Sequence, residues 1–210
     1  RFVSGVALSF EETRLYLPPC RNARRTGNPI RSSIQKDCRQ EALKFFGFSK
    51  DRATLLVLGG SQGAESINTL FLTSLDFLPA LLKRDLQVLH LCGKMPVNFA
   101  ETEYHRAGLA AKVYSFFERM DLAYGVTDLA LGRAGATFLA EIDAKQIPSI
   151  LVPYPFGSGH QRQNARLFME KGKAIVREQG DLNPEILAGL LTRRLGELKK
   201  EGGTRRPAAA

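Results

Sequence analysis

Leu55-Leu56-Val57-Leu58-Gly59-Gly60-Ser61-Gln62-Gly63-Ala64 is an apolar run that breaks into glycines just before a helical pattern begins. Large apolar residues in a short block bounded by turn residues have the length and composition of a strand buried on both faces. Glycines at its end let the backbone approach a ligand, and free N–H groups at the start of the next helix point at an anion. A tight strand-to-helix turn without a ligand has the same local pattern. Two common phosphate motifs are excluded. No Lys-Ser/Thr follows the last glycine, as a P-loop requires. The spacing is not G-x-G-x-x-G, and the next strand ends His90-Leu91-Cys92-Gly93-Lys94, with no acidic residue to hold an NAD ribose. The stretch points to a phosphate that belongs neither to NAD nor to a P-loop nucleotide.

Outward from this run, strand and helix patterns alternate. Strands are expected at 54–58, 86–91, 112–116, 128–132, 149–152 and 174–177. Helices are expected at 63–83, 97–108, 119–125, 136–146, 160–171 and 184–200, the last with Asn183 as N-cap and Pro184 at its first position. Such alternation builds a parallel sheet covered on both faces, an α/β, Rossmann-like doubly wound fold. Residues 2–10 form a candidate strand with no partners of its own, leading through Pro18-Pro19 and a basic stretch at 21–25 into Thr26-Gly27-Asn28-Pro29. This predicts a connector from a preceding piece. Its apolar residues Phe2, Val3, Val6, Leu8 and Phe10 are expected to be exposed or mobile. The chain opens on Arg1, as a fragment or processed product would, and residues 201–210 read as a disordered tail.

The 210 residues are 44% hydrophobic, enough for one ordinary core, and carry a net charge of +9. That charge sits at the ends: +6 on residues 1–52 and +4 on 191–210, with the middle nearly neutral. It avoids the motif-bearing segment, and no nucleic-acid module signature accompanies it, so a nucleic-acid partner is not expected. Attraction of the basic ends to an anionic membrane surface fits better, and a plain solvated surface is the commoner alternative to both. Cys20, Cys38 and Cys92 are odd in number and widely spaced, which suits a reducing compartment and gives no zinc pattern. Single, scattered His90, His105 and His160 argue against a metal site. No cofactor is expected. No apolar stretch approaches the roughly 18 residues of a membrane span.

In doubly wound sheets, ligands gather at the carboxyl ends of the strands. Four segments there carry chemistry: Gly59 to Ala64, Phe116 to Met120, Arg133-Ala134-Gly135-Ala136-Thr137 followed by Glu141, and Pro153 to Gln161 followed by Asn164. Glycine-bordered helix starts suit a diphosphate. Glu141 is a bidentate acceptor for two ribose hydroxyls, and His160, Gln161 and Asn164 are neutral groups of the kind that read sugar hydroxyls. A solvated helix face is the plain alternative for Glu141, and N-terminal capping for His160 and Gln161. No Ser-His-Asp set or pair of catalytic carboxylates is visible.

Taken in order, Thr26 to Arg31, the loop 59–64, Arg133 to Ala136 with Glu141, Pro153-Tyr154-Pro155, and His160-Gln161 with Asn164-Ala165 closely resemble the MurG glycosyltransferases of bacterial peptidoglycan synthesis. The resemblance spans about residues 2–198. It implies the C-terminal, donor-binding half of a GT-B enzyme that moves N-acetylglucosamine from UDP-N-acetylglucosamine to lipid I, forming lipid II, at the inner face of the cell membrane. Residues 1–25 would then be the end of the acceptor half and 26–200 the UDP-sugar domain. By the same resemblance, Ser61 and the backbone of Gln62 and Gly63 hold the diphosphate, helped by Arg31. Phe117 meets the uracil edge through its backbone, Ala136 and Thr137 line the donor, Glu141 takes the ribose, and His160, Gln161 and Asn164 meet the sugar. Catalytic residues and the lipid I contacts are expected on the other half. One departure stands out: Phe138 occupies a position where the family usually has threonine. Two alternatives remain at this level, a transferase for another UDP-sugar and a non-catalytic nucleotide-binding module.

Overall fold

A computed structural model describes residues 3–18, 22–59, 64–156 and 159–200. Two short strands, β1 (Val6–Leu8) and β2 (Ala23–Arg25), come first, then β3 (Ala53–Leu58), β4 (Leu86–Leu91), β5 (Ala110–Tyr114), β6 (Leu129–Gly132), β7 (Ser149–Leu151) and β8 (Ala174–Val176). The helices are α1 (Ser32–Gln35), α2 (Arg39–Phe46), α3 (Glu65–Ser74), α4 (Ala80–Asp85), α5 (Val97–Ala107), α6 (Met120–Val126), α7 (Ala136–Ala144), α8 (His160–Glu170) and α9 (Pro184–Lys200). Strands β3 to β8 form one all-parallel sheet in the order β5-β4-β3-β6-β7-β8. This is the doubly wound Rossmann order, and strand order reverses between β3 and β6.

Neighbouring residues of β3 face opposite cores, as alternation along a pleated strand requires. Leu55 and Val57 pack with Ile67 and Phe71 of α3, Tyr104 of α5 and Leu191 of α9. Leu56 packs on the other face with Phe46 of α2, Leu122 of α6, Leu139 of α7 and Phe168 of α8. Both faces are covered, which explains why β3 and β4 are mostly apolar, and their polar residues Thr54, Gln87 and His90 are buried and hydrogen-bonded.

The expected helix at 63–83 is three pieces. Pro79 lacks an N–H and disfavours helical geometry at Leu78, whose φ and ψ are −74° and 132°. The chain therefore passes from α3 through a single turn at Leu75–Phe77 and restarts as α4. Strand β5 lies two residues earlier than expected. Gly108, at φ +66°, closes α5 with N–H bonds from Gly108 to His105 O and Leu109 to Tyr104 O, so pairing begins at Ala110. Helices α1 and α2 had no counterpart in the sequence reading. The expected cap at α9 is present: Asn183 Oδ1 accepts from Ile186 N–H at 2.8 Å.

The amino-terminal segment also needs correction. Strand β1 has a partner, pairing in parallel with β2 (Val6↔Ala23, Leu8↔Arg25), and the basic stretch supplies that partner. Leu8 is buried and Phe10 rests against the second core, so these two are not exposed. Val6 is half-buried, whereas Val3 is 73% exposed, as expected. Phe2 and the tail at 201–210 lie outside the described residues.

Candidate functional site

Register across the sheet brings Tyr114, Leu91, Leu58, Gly132, Leu151 and Val176 level with one another, so the loops that follow share one rim. At its centre the backbone of Gly59 folds tightly against Ala64: a Cβ on Gly59 would lie 2.0 Å from Ala64 N, which only glycine avoids. Ser61, Gln62 and Gly63 lie outside the described residues. Gly132 is equally constrained, since a Cβ there would meet Leu58 O at 2.5 Å and the Phe138 ring at 3.2 Å.

Of the helices that start at this rim, α3, α7 and α8 have Ala64, Gly135 and Gly159 at their N-caps. None of these residues has a side chain able to accept a hydrogen bond. Among the described residues no side chain at these N-caps takes up the first-turn N–H groups, which Ser, Thr, Asp or Asn ordinarily satisfy, so they are open to an incoming acceptor. The positive ends of the helix dipoles converge there as well.

Glu141 lies on α7 one turn beyond Thr137, on the same helix face. The Tyr124 hydroxyl donates to Glu141 Oε2 at 2.7 Å. Burial, with the Glu141 carboxylate beside it, holds the Tyr124 phenol well above its ordinary pKa, so it stays a donor. Thr137 is exposed at the helix start, with Asn28 Nδ2 3.5 Å from its Oγ1, so the 26–31 segment crosses the rim. Phe138 is 8% exposed and packs inward against Gly132. Its position belongs to the core, which accounts physically for an apolar residue there.

Arg31 immediately precedes α1 and donates through Nη1 to Glu118 O at 3.4 Å, alongside Phe117. The Phe117 ring packs on Tyr114 and Phe46, with centroids at 5.0 and 5.3 Å, anchoring this loop at the rim. His160, the first residue of α8, is exposed. Gln161 Oε1 accepts from Tyr154 N–H at 3.0 Å, closing the loop before α8. Asn164 Nδ2 donates to Ala134 O at 3.2 Å, tying α8 to the loop after β6. Arg31, Phe117, Ala136, Thr137, Glu141, His160, Gln161 and Asn164 thus all sit on rim loops or the first two turns of the helices beside them.

Two contributors were not singled out from the sequence. Tyr124 carried no motif; its value comes from the hydrogen bond that its buried hydroxyl makes from α6 to Glu141 of α7. His90 was read as solitary, yet it sits in a buried chain. Asn68 Nδ2 donates to Cys92 O at 2.7 Å, so Asn68 Oδ1 is the acceptor toward His90 Nε2 at 3.1 Å. His90 Nδ1 then accepts from the Tyr104 hydroxyl at 2.9 Å. This chain holds α3, and with it the end of the glycine loop, to β4.

A parallel sheet of this order, with glycine-started helices around its switch point, is the C-terminal domain fold of GT-B glycosyltransferases. The chain belongs to glycosyltransferase family 28, whose C-terminal domain profile matches residues 54–205. A UDP-N-acetylglucosamine--N-acetylmuramyl-(pentapeptide) pyrophosphoryl-undecaprenol N-acetylglucosamine transferase of Halothermothrix orenii is 37% identical over 208 residues, 95% of this chain and 56% of the relative. The transferase of that name from Thermodesulfovibrio yellowstonii is 36% identical, over 96% of this chain and 55% of its own. The chain spans about half the length of these relatives. Among solved structures, Acinetobacter baumannii MurG superposes with a TM-score of 0.69 at 27% identity, covering 91% of this chain and 51% of that one. Phytolacca americana UGT2, complexed with UDP-2fluoro-glucose and pterostilbene, shares the fold at TM-score 0.61 and 14% identity, over 87% and 41%. No helix among the described residues is long and apolar enough to cross a membrane.

Proposed function

We propose that this chain is the donor-binding half of a transferase that moves N-acetylglucosamine from UDP-N-acetylglucosamine to lipid I in peptidoglycan synthesis. The observation that carries the reading is the convergence of three helix N-termini without side-chain caps beside a carboxylate already oriented by Tyr124. Orphan N–H donors suit the diphosphate, and an oriented Glu141 suits the ribose. In glycosyl transfer the leaving UDP gains negative charge as the anomeric bond breaks, and preorganised donors stabilise it. Arg31, Ser61, Gln62 and Gly63 serve the diphosphate, Phe117 the uracil, Ala136 and Thr137 the donor near its sugar, and His160, Gln161 and Asn164 the sugar itself. Residues 26–200 form the UDP-sugar domain, and residues 1–25 close the preceding acceptor half, which supplies the lipid contacts and the catalytic base. Basic ends favour the anionic inner surface of the cell membrane, where the acceptor resides.

The test is calorimetric titration of the chain with UDP, UDP-N-acetylglucosamine and UDP-glucose. UDP and UDP-N-acetylglucosamine bind, and UDP-glucose binds more weakly than its N-acetylated counterpart. A folded chain that takes up no UDP overturns the proposal, and equal affinity for both UDP-sugars overturns its sugar assignment.

A further inference from the structure

Arg133 follows β6 at the point where strand order reverses, beside the end of β3. It is 7% exposed. Its Nη1 donates to Val152 O and Pro153 O, both at 3.0 Å, and its Nη2 to Ser66 Oγ at 2.8 Å and Gln179 Oε1 at 2.6 Å. The guanidinium carbon stands 5.4 Å from the centre of the Tyr154 ring. Every one of these partners is neutral. Nε is buried without a partner, and no carboxylate pairs with the guanidinium among the described residues.

A buried charge without a counter-ion is costly, and removing it from water weakens the charged form. Burial lowers the pKa of this group accordingly, though an arginine stays protonated. Its partners are equally telling. Ser66 lies in the first turn of α3, Val152 and Pro153 begin the loop between β7 and α8, and Gln179 opens the turn at Gln179–Asp181. One side chain therefore binds three segments around the switch point and places a net positive charge beside the uncapped start of α3.

We infer that Arg133 is a positioning residue that clamps these three rim segments and supplies the fixed counter-charge for the donor's diphosphate. The inference rests on the donor-site reading above. The charge balance of the pocket is completed when the diphosphate arrives, so Arg133 discriminates ligands by their phosphates rather than by their nucleoside.

The experiment compares UDP with uridine, which shares the nucleoside and lacks both phosphates, in wild type, Arg133→Gln and Arg133→Lys. Binding is followed by NMR titration, with circular dichroism to confirm folding. In Arg133→Gln, UDP affinity falls by about tenfold or more while uridine affinity stays within about twofold. Arg133→Lys, which keeps the charge and loses the planar fork, recovers most of the preference for UDP over uridine. Arg133→Met, of similar length and without polar groups, replaces Gln if that variant does not fold. Equal losses for UDP and uridine, or no loss for either, overturn the inference while leaving the donor site intact. If neither neutral variant folds, Arg133 is structural and the inference falls. Absence of UDP binding by wild type overturns the donor-site reading and this inference together.

Discussion

The hydroxyl of Tyr124 donates to Glu141 Oε2 at 2.7 Å, so the carboxylate expected to take the ribose is held from beneath by a buried phenol. A carboxylate accepts more than one hydrogen bond per oxygen, so this contact orients Glu141 without exhausting it. Glu141→Ala removes charge-assisted bonds to the ribose, worth roughly 1.5–3 kcal/mol, and weakens UDP, UDP-N-acetylglucosamine and uridine alike by about ten- to a hundredfold. Tyr124→Phe removes only the orienting bond and costs about 0.5–1.5 kcal/mol of the same affinity. Calorimetry on folded variants measures both, and unchanged UDP affinity in Glu141→Ala would sink the ribose assignment.

Gln161 poses a sharper choice, because its Oε1 already accepts from Tyr154 N–H. If its amide also reads the sugar, Gln161→Ala weakens UDP-N-acetylglucosamine and leaves UDP nearly untouched. The comparison needs only two titrations. Parallel losses for both ligands would show instead that Gln161 maintains the loop before α8.

The sheet was legible because β3 and β4 are mostly apolar on both faces and glycine or proline marks most junctions. Leu86–Leu91 and Pro184–Lys200 match their expected bounds, the second through the Asn183 cap. What escaped reading depends on residues far apart in sequence. Strand β1 finds its partner in Ala23–Arg25, a stretch whose charge gave no strand pattern. Phe116 looks like the end of a strand, but the left-handed turn at Gly108 starts β5 early and leaves it in the loop. In the site, glycines and Glu141 stood out by motif. Tyr124, Asn68 and Tyr104 did not, because hydrogen bonds between helices and strands leave no local periodicity.

His90 offers a pH signature that is independent of any ligand. Burial lowers its pKa from 6.5 to about 4 in the folded protein, where it stays neutral between Tyr104 and Asn68. Between those two values the unfolded chain binds a proton that the folded protein refuses. Stability therefore falls as pH drops from about 6.5 to about 4, by roughly 3 kcal/mol, and is flat on this account above pH 6.5. Asp76, Asp85 and Asp121 are held below their ordinary value by Arg106, Lys199 and Arg119, so their contributions are lost only in more acid solution. Denaturant unfolding across pH 4–7 measures the slope. His90→Gln, which cannot charge, should flatten it, and a persistent slope in that variant would assign the effect elsewhere.

Donor binding and turnover should separate in this chain. Transfer needs the acceptor oxygen held in line with the anomeric carbon and a group to take its proton, and positioning alone supplies several kcal/mol of such a barrier. On the proposed reading, the rim at β3, β6 and β7 takes the donor and a half preceding residue 26 takes the acceptor. The pair β1–β2 is a sheet of two strands, three residues each, and a two-stranded sheet is marginal in water without further cover. Leu8 and the half-buried Phe10 give it a foothold on the domain, but Val3 stays exposed. The amides of Val6–Leu8 and Ala23–Arg25 should therefore exchange quickly in this chain and slowly when the preceding half is joined in the same polypeptide. We expect UDP-N-acetylglucosamine to bind in both forms and N-acetylglucosamine to reach a lipid I analogue only in the longer one. Turnover by residues 1–210 alone, in a preparation free of longer enzyme, would place the acceptor machinery within this chain and overturn that division.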